Sequence, residues 1–439
     1  MTATSLTESQ LGQELLSLAL RHVRDAEVFW ARDEALTVGQ TDHHPPDIGE
    51  RSSEYLALRV IQNGRIGFAA QAAPLAAAQL EGLFAKASAA TASGPPAPPT
   101  FWKERGPGPA VEVYDPRLAS LDRDDLSRLS RQAVLRLGDM LGSVPRSVAI
   151  RRSIRRHMLL SRVDEKRAEK TLLQVHLQTG PLLKQPLQLV ENFASCRWPD
   201  RPLAGLGDIA WKTAFSKQRR ELDTGNYPVV FSARAVAPLL RWLCAALCGD
   251  RVTSASMIGE TRFDPRLSVI DDGLMEWAPA SGGFDAEGVP RRRQVLIDKG
   301  VVSGVLLDLS NAARLGLEPT GSAARSMQQA PHAAVSSLEV PGGRQAFDDL
   351  LEACEGGVYV DALDEEATPA ADGALSVPIK SAFWIAGGRP VAYLAPVRLE
   401  GDIAELFTHH LTAIGSDVTW VGTARCPSMA LQRVRLVAS

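Results

Sequence analysis

The sequence predicts an α+β protein: N-terminal α/β units with antiparallel sheet, then a C-terminal curled, barrel-like, mostly antiparallel β domain with peripheral helices. Three observations carry this. The first 90 residues alternate helical and strand periodicity around an Asn63-Gly64 turn. Beyond Asn226, many short apolar runs are separated by glycine-rich turns, with few helical stretches between them. Proline- and glycine-rich stretches at 93–100 and 106–109 have little to bury and break the chain. At 439 residues the chain exceeds one ordinary core. It divides into an N-terminal α+β domain (1–105), a central domain (106–222) and a C-terminal domain (223–439).

Taken in order, Thr7 and Gln10 have the spacing of a capping box, and Leu11, Leu15, Leu16, Leu18 and Leu20 give an apolar helix face running to about residue 24. Strands are expected at 26–30 and 54–62 around a polar loop at 41–53. Asn63-Gly64 favours a two-residue hairpin turn into Arg65-Ile66-Gly67-Phe68. The alanine-rich stretch 70–90 reads as helix. A second amphipathic helix spans 118–141, with Leu126, Leu129, Val134, Leu135 and Leu137 as inward positions. Strand-like runs follow at 147–154, 157–160, 171–177 and 185–194, then a helix at 207–219. The third unit opens with a strand at 228–231 and a helix at 238–247, stopped by Gly249. Later strands are expected at 357–360, 383–385 and 391–397 with a Gly387-Gly388 turn, then a helix at 402–414 and closing strands at 418–421 and 428–437.

Composition narrows the function classes. Hydrophobic residues make up 45%, enough for a sizeable core. The net charge of −3 gives no general attraction to nucleic acid, and the basic runs 151–156 and 291–293 lack interleaved stacking aromatics. Five irregularly spaced cysteines argue against a disulfide framework and for a reducing compartment. No apolar run approaches the roughly 18–20 residues of a membrane span, and the polar N-terminus has no leader pattern. A cytoplasmic protein with no membrane or nucleic-acid partner is expected. Serine-hydrolase elbows and phosphate-binding loops are absent from the sequence. The histidine pairs His43-His44 and His409-His410 point in divergent directions and make poor chelates. Cys244 and Cys248, four apart on a helix, read as small buried hydrophobes.

The stretch from Asp264 to Arg325 is richest in candidate chemistry. An apolar run (Leu267, Val269, Ile270) ends in Asp271-Asp272. A glycine-rich turn, Ser281 to Gly288, contains Asp285 and Glu287. Runs at 294–297 and 301–307 flank Asp298-Lys299-Gly300, predicting a hairpin with a three-residue loop and a left-handed Gly300. Ser310 reads as the N-cap of a helix at 311–315, with Gly316 as its stop. Asp271, Asp272, Asp285, Glu287, Gly288 and Arg325 are the candidate substrate-binding residues of a peptide-facing surface. The structural alternative is that Asp271-Asp272 caps a turn while Asp285 and Glu287 order the glycine loop. With no partner histidine in the pattern, that alternative weighs more.

The ordered fragments Ile270-Asp271-Asp272, Phe284-Asp285, Glu287-Gly288-Val289-Pro290, Arg292-Arg293, Val295-Leu296-Ile297, Lys299-Gly300-Val301, and Thr320-Gly321 with Arg325 resemble the TldD/PmbA family, also called modulator of DNA gyrase. Gly64-Arg65-Ile66-Gly67-Phe68 is similar to its N-terminal signature. The resemblance implies a metallopeptidase whose active members carry His-Glu-x-x-x-His on the helix after the first strand of the last domain. Matching Val229-Val230 and Leu239-Leu240 puts Arg241, Trp242 and Ala246 at those three positions. None of them ligates zinc or activates water. No cofactor is expected in this chain. Cys426, in a region where active relatives place a further ligand, reads as structural. The resemblance therefore implies the TldE- or PmbA-like subunit of a cytoplasmic heterodimer, partnered by a TldD-like zinc-bearing chain and acting on unfolded peptides or peptide precursors. A self-sufficient hydrolase using the Asp/Glu cluster or Cys426, and a peptide-binding scaffold, are the alternatives.

Overall fold

The computed structural model describes residues 8–42, 44–142, 144–180, 189–199, 205–216, 218–364 and 366–438. The expected cap at Thr7, His43 of the histidine pair and the start of the expected strand at 185–194 lie outside them. Six antiparallel strands, β1 (Asp25–Thr41), β2 (Asp47–Gln62), β3 (Arg65–Ala72), β4 (Arg146–Ser161), β5 (Glu165–Thr179) and β6 (Val190–Ser195), form one sheet in the order β3-β2-β1-β4-β5-β6. Because β1 pairs with both β2 and β4, strands from either side of residue 105 share this sheet.

Strand alternation sorts the side chains into two faces. Val28, Trp30, Leu58 and Val60 pack beneath the helices Glu8–Leu20 and Leu80–Ala90. Farther along the same face, Leu36, Val38, Val148 and Ile150 pack with the helix Arg123–Leu141. Glu27, Phe29, Arg59 and His157 face the opposite way, toward the C-terminal half. Asn63 and Gly64 take φ of 53° and 70° in the two-residue turn joining β2 and β3, the left-handed pair a type I′ hairpin requires.

Several expectations are corrected. The polar loop at 41–53 is largely strand: β1 and β2 stay paired out to Gly39 and Asp47, because inward Leu36 and Val38 keep β1 on the core while β2 presents polar residues to solvent. The helix expected over 70–90 starts only at Leu80, since β3 continues pairing through Ala72. The runs at 147–154 and 157–160 are one strand, whose central Arg155 and Arg156 pair with Asp33 and Glu34 on β1. Leu135 is 68% exposed and is not an inward position.

In the C-terminal half, Gly225–Phe231, Met429–Ala438, Val397–Asp402, Ala374–Ala386 and Val358–Leu363 pair successively, and the last pairs back to the first, closing a five-stranded barrel. A second sheet contains Val269–Asp272, Arg293–Asp298, Leu338–Glu339 and Ala424–Cys426. The helix Ala233–Ala245 packs against strands of both. It begins five residues before the predicted 238, because the Ser232 hydroxyl accepts from the amides of Arg234 and Ala235 and so caps the first turn. Gly249 opens a one-turn 3-10 segment rather than ending this helix.

The Asp298–Val301 pairing leaves a two-residue loop, Lys299-Gly300, where three were predicted; both residues have positive φ. The following strand is confined to Val301–Val302, and Asp308 rather than Ser310 caps the short helix Leu309–Leu315, which Gly316 ends in the left-handed conformation. The expected helix at 402–414 gives way at Leu411 to a strand pairing with Met429–Ala438.

One close approach fixes how helix Leu80–Ala90 lies on β3. A Cβ on Gly67 would sit 1.9 Å from the carbonyl oxygen of Ala87, so helix and strand touch backbone to backbone. Gly67→Ala is expected to lower stability by about 1–3 kcal/mol through forced separation. Gly82→Ala, on the same helix in open space, is expected to raise it by roughly 0.5–1 kcal/mol. Thermal unfolding of the two variants checks the pair.

Candidate functional site

The candidate residues of the glycine-rich stretch are engaged within the protein. Asp271 is buried and accepts the amide and hydroxyl of Ser336 at 2.7 and 2.9 Å. Asp272 accepts the amide of Leu274 at 2.9 Å, holding the turn after the strand. Asp285 takes three amides: Glu287 at 2.8 Å, Val289 at 3.0 Å and Ala323 at 2.9 Å. Gly288 has φ 79°, and a Cβ there would lie 2.7 Å from a methyl of Leu159 on β4. The glycine loop is thus folded tightly onto the N-terminal sheet.

What binds it there is a cluster of charges. Arg59 of β2 donates to Glu27 of β1 at 2.9 and 3.2 Å and to Glu287 of the glycine loop at 2.5 Å; all three side chains are at most 2% exposed. Arg325 reaches Glu27 at 2.5 Å, also donates to the Ala286 carbonyl, and lies over the Phe29 ring at 4.3 Å. Burial pushes Glu27 up, but Arg59 and Arg325 outweigh it and hold its carboxyl below the usual range. For Glu287 burial wins: with Asp285 and Asp308 adding to it, the pKa rises despite Arg59. The structure therefore joins Asp285, Glu287 and Arg325 in one neighbourhood, while Asp271 and Asp272 lie apart on the second sheet. Sequence reasoning missed Glu27 and Arg59. Their signal was a charge inside an otherwise apolar run, Ala26 to Trp30 and Leu56 to Ile61.

The helix Ala233–Ala245 carries two of the three positions matched to the zinc motif, and its C-cap is the third. Arg241 and Trp242 are half-buried on it, Trp242 packing against the C-terminal core, and Ala246 is its exposed C-cap. A guanidinium, an indole and a methyl do not fit a zinc ion. Cys426 is fully buried and donates to the Ala233 carbonyl at 3.4 Å; burial pushes its thiol up to about 12. Burial likewise raises Cys248 to about 12, and its thiol donates to the Cys244 carbonyl. Among the described residues, no three His, Cys, Asp or Glu side chains cluster as metal donors.

The N-terminus of the same helix opens on a cavity of about 900 Å³ between β5–β6, the helix Leu206–Phe215 and the barrel. Trp211, Phe347 and Tyr359 wall it, with ring centroids 5.6–6.1 Å apart. Deeper, Asp361 accepts from Lys212 and Ser381 at 2.8 Å each and from Arg234, while Lys212 also pairs with Glu191. Burial alone pushes Asp361 up, but Arg234 and Lys212 outweigh it and hold it well below the usual carboxylate range. Asp361 was legible only as a charge inside the apolar run Val358 to Leu363.

Comparison with known proteins places this geometry. The chain superposes on TldE from Thermococcus kodakarensis with a TM-score of 0.82, 18% identity and coverage of 98% of this chain and 100% of that one. A candidate modulator of DNA gyrase from Thermotoga maritima gives 0.82, 16%, 98% and 100%. At such identities the likeness is one of fold. Metalloprotease PmbA of Escherichia coli is 24% identical over 234 residues, 52% of this chain and 50% of that protein. A metalloprotease of Methanothermobacter thermautotrophicus is 28% identical over 171 residues, 39% and 37% of the two. The chain thus spans about half the length, or less, of these curated relatives. Residues 224–438 match the PmbA/TldA metallopeptidase C-terminal domain. A sheet-and-barrel protein of metallopeptidase type is the class these findings define. The chain belongs to the PmbA/TldD family.

Two measurements follow from the buried charges. Arg59→Met leaves buried Glu287 without its cation and Glu27 with Arg325 alone, and is expected to cost about 3–5 kcal/mol in denaturant unfolding; a loss under about 1 kcal/mol would show that the cluster does not hold the halves together. Asp361, with a depressed pKa, contributes stability that is present above its unfolded value of about 3.9 and lost as pH falls through the lower folded value. Urea midpoints measured downward from pH 7 should therefore drop in the native chain below about pH 4, and drop less steeply in Asp361→Asn.

Proposed function

We propose that this chain is the non-catalytic, TldE-like subunit of a two-chain cytoplasmic metallopeptidase, holding peptide substrates for a zinc-bearing, TldD-like partner. The carrying observation is the helix Ala233–Ala245: in a protein of this family it presents Arg241 and Trp242 and is followed by Ala246, with no donor set for zinc among the described residues. What this chain supplies instead is enclosure. Its cavity beside that helix is walled by aromatic side chains and bounded by fixed charges, a surface that takes up peptide side chains without a reacting group. Cys426 does not support independent hydrolysis, because a thiol pushed up to about 12 and bonded to the Ala233 carbonyl is a poor nucleophile.

Metal analysis of the purified chain, with peptide hydrolysis assayed alone and with a zinc-bearing chain of the same family, tests this reading. Far less than one zinc per chain, no cleavage alone, and cleavage appearing or rising on mixing are expected. Stoichiometric zinc with unaided cleavage would overturn it. Cleavage by the zinc-bearing chain that is indifferent to this one would point to a peptide-binding scaffold instead.

A further inference from the structure

A second pocket, of about 420 Å³, lies where β4, β5 and β6 of the N-terminal sheet meet the glycine-rich and 322–336 segments of the C-terminal half. Its charged lining residues are both cations. Arg155 comes from β4, and Arg291 comes from the turn after Pro290. Lys170 stands directly opposite Arg155 across the β4–β5 ladder. It donates to the carbonyls of Pro279 and Ser281 at 2.9 and 2.6 Å, and Pro279 lines the pocket. Like charges directly across a strand pair repel, and burial with Arg291 and Arg155 nearby pushes Lys170 down to about 8.

The acids of the neighbourhood are committed elsewhere. Asp33 is shared between Arg155 at 3.2 Å and Arg151 at 3.6 Å. Asp271 is occupied by Ser336, and Asp285 by three amides. Among the described residues, Arg291 bonds to the carbonyls of Phe284 and Gly321, at 3.2 and 3.4 Å. Among the described residues no carboxylate lies within ion-pair distance of Lys170 or Arg291. Buried cations normally have a close counter-charge; among the described residues Asp285 and Asp271 act on Arg291 only from beyond ion-pair distance, and no carboxylate pairs with Lys170.

We propose that this pocket binds a carboxylate, namely the free C-terminal carboxylate of a peptide, between Arg291 and Arg155 with Lys170 behind it. The rest of the lining decides the body of the ligand. Leu172, Ala194, Ala324, Ala334 and Val335 give apolar walls that a bare inorganic anion leaves uncovered and a small apolar terminal residue fills. The choice of a peptide rests on the reading of the chain as a peptide-holding subunit; the cationic pocket does not.

Isothermal titration of the full chain, without any partner, tests the assignment. The probes are N-acetyl-trialanine with a free carboxylate, the same peptide as its C-terminal amide, and inorganic phosphate. One free-acid peptide is expected per chain, with the amide weaker by about tenfold or more, since it loses the charge-assisted hydrogen bonds. Arg291→Gln and Arg155→Gln are each expected to weaken the free acid without affecting the amide. Arg155 is 43% exposed on the sheet, so its variant keeps the test meaningful if Arg291→Gln unfolds; thermal melts report which does. Equal binding of acid and amide, unchanged affinity in a folded Arg155→Gln, or binding of phosphate alone would overturn the assignment. Because no cleavage is measured, these outcomes are separate from those that test the partnership with a zinc-bearing chain.

Discussion

Arg59 is the residue on which the arrangement of the two halves depends. It leaves β2 on the face away from the helices and binds Glu27 of the neighbouring strand and Glu287 of the glycine loop at once. A guanidinium has five donors in a rigid fork, so it can satisfy two carboxylates from different segments and fix their spacing. Buried pairs of this kind add little net stability over an apolar contact of the same shape, but they are severe about register, because a displaced carboxylate is left unpaired away from water. With Arg325 on Phe29 and Gly288 against Leu159, they set one seating for the glycine loop on the sheet. The smaller pocket, lined by Pro279, Ala280 and Arg291 beside that loop, lies at this seam.

Much of the fold was legible because local chemistry and global packing agree. The Asn63-Gly64 turn, the apolar face of Leu11 to Leu20, the left-handed Gly316 and the barrel-forming runs after Asn226 stand as the patterns indicate. The failures share a cause: pairing partners far away in sequence. The 41–53 stretch looked like a loop because its residues are polar, yet polar side chains on one face of a long hairpin do not stop backbone pairing. Arg155-Arg156 looked like a break, and Asp33 and Glu34 on another strand make it a ladder. The candidate site was harder still. Asp285, Glu287 and Arg325 were visible as acids and an arginine near glycines, but whether a carboxylate faces substrate or a backbone amide is a matter of tertiary geometry. Glu27, Arg59 and Asp361 showed only as charges misplaced in apolar strands, a signal shared by structural and functional groups alike.

The helix Ala233–Ala245 is held in place by residues other than those at its matched motif positions. Its packing residues, among them Leu239, Leu240 and Leu243, remain buried in the C-terminal core, so its location is secured independently of Arg241 and Trp242. An indole at Trp242 adds apolar contact there.

The closed barrel has a consequence for how the chain is made. Its strand Gly225–Phe231 pairs with Val358–Leu363 on one side and Met429–Ala438 on the other, both of which emerge from the ribosome long after it. At about 5–20 residues per second, that strand waits on the order of ten seconds or more for the last staves. During the wait its two edges and the apolar face of the following helix are open to other chains. Pairing along both edges of this strand is complete only once Met429–Ala438 has been made.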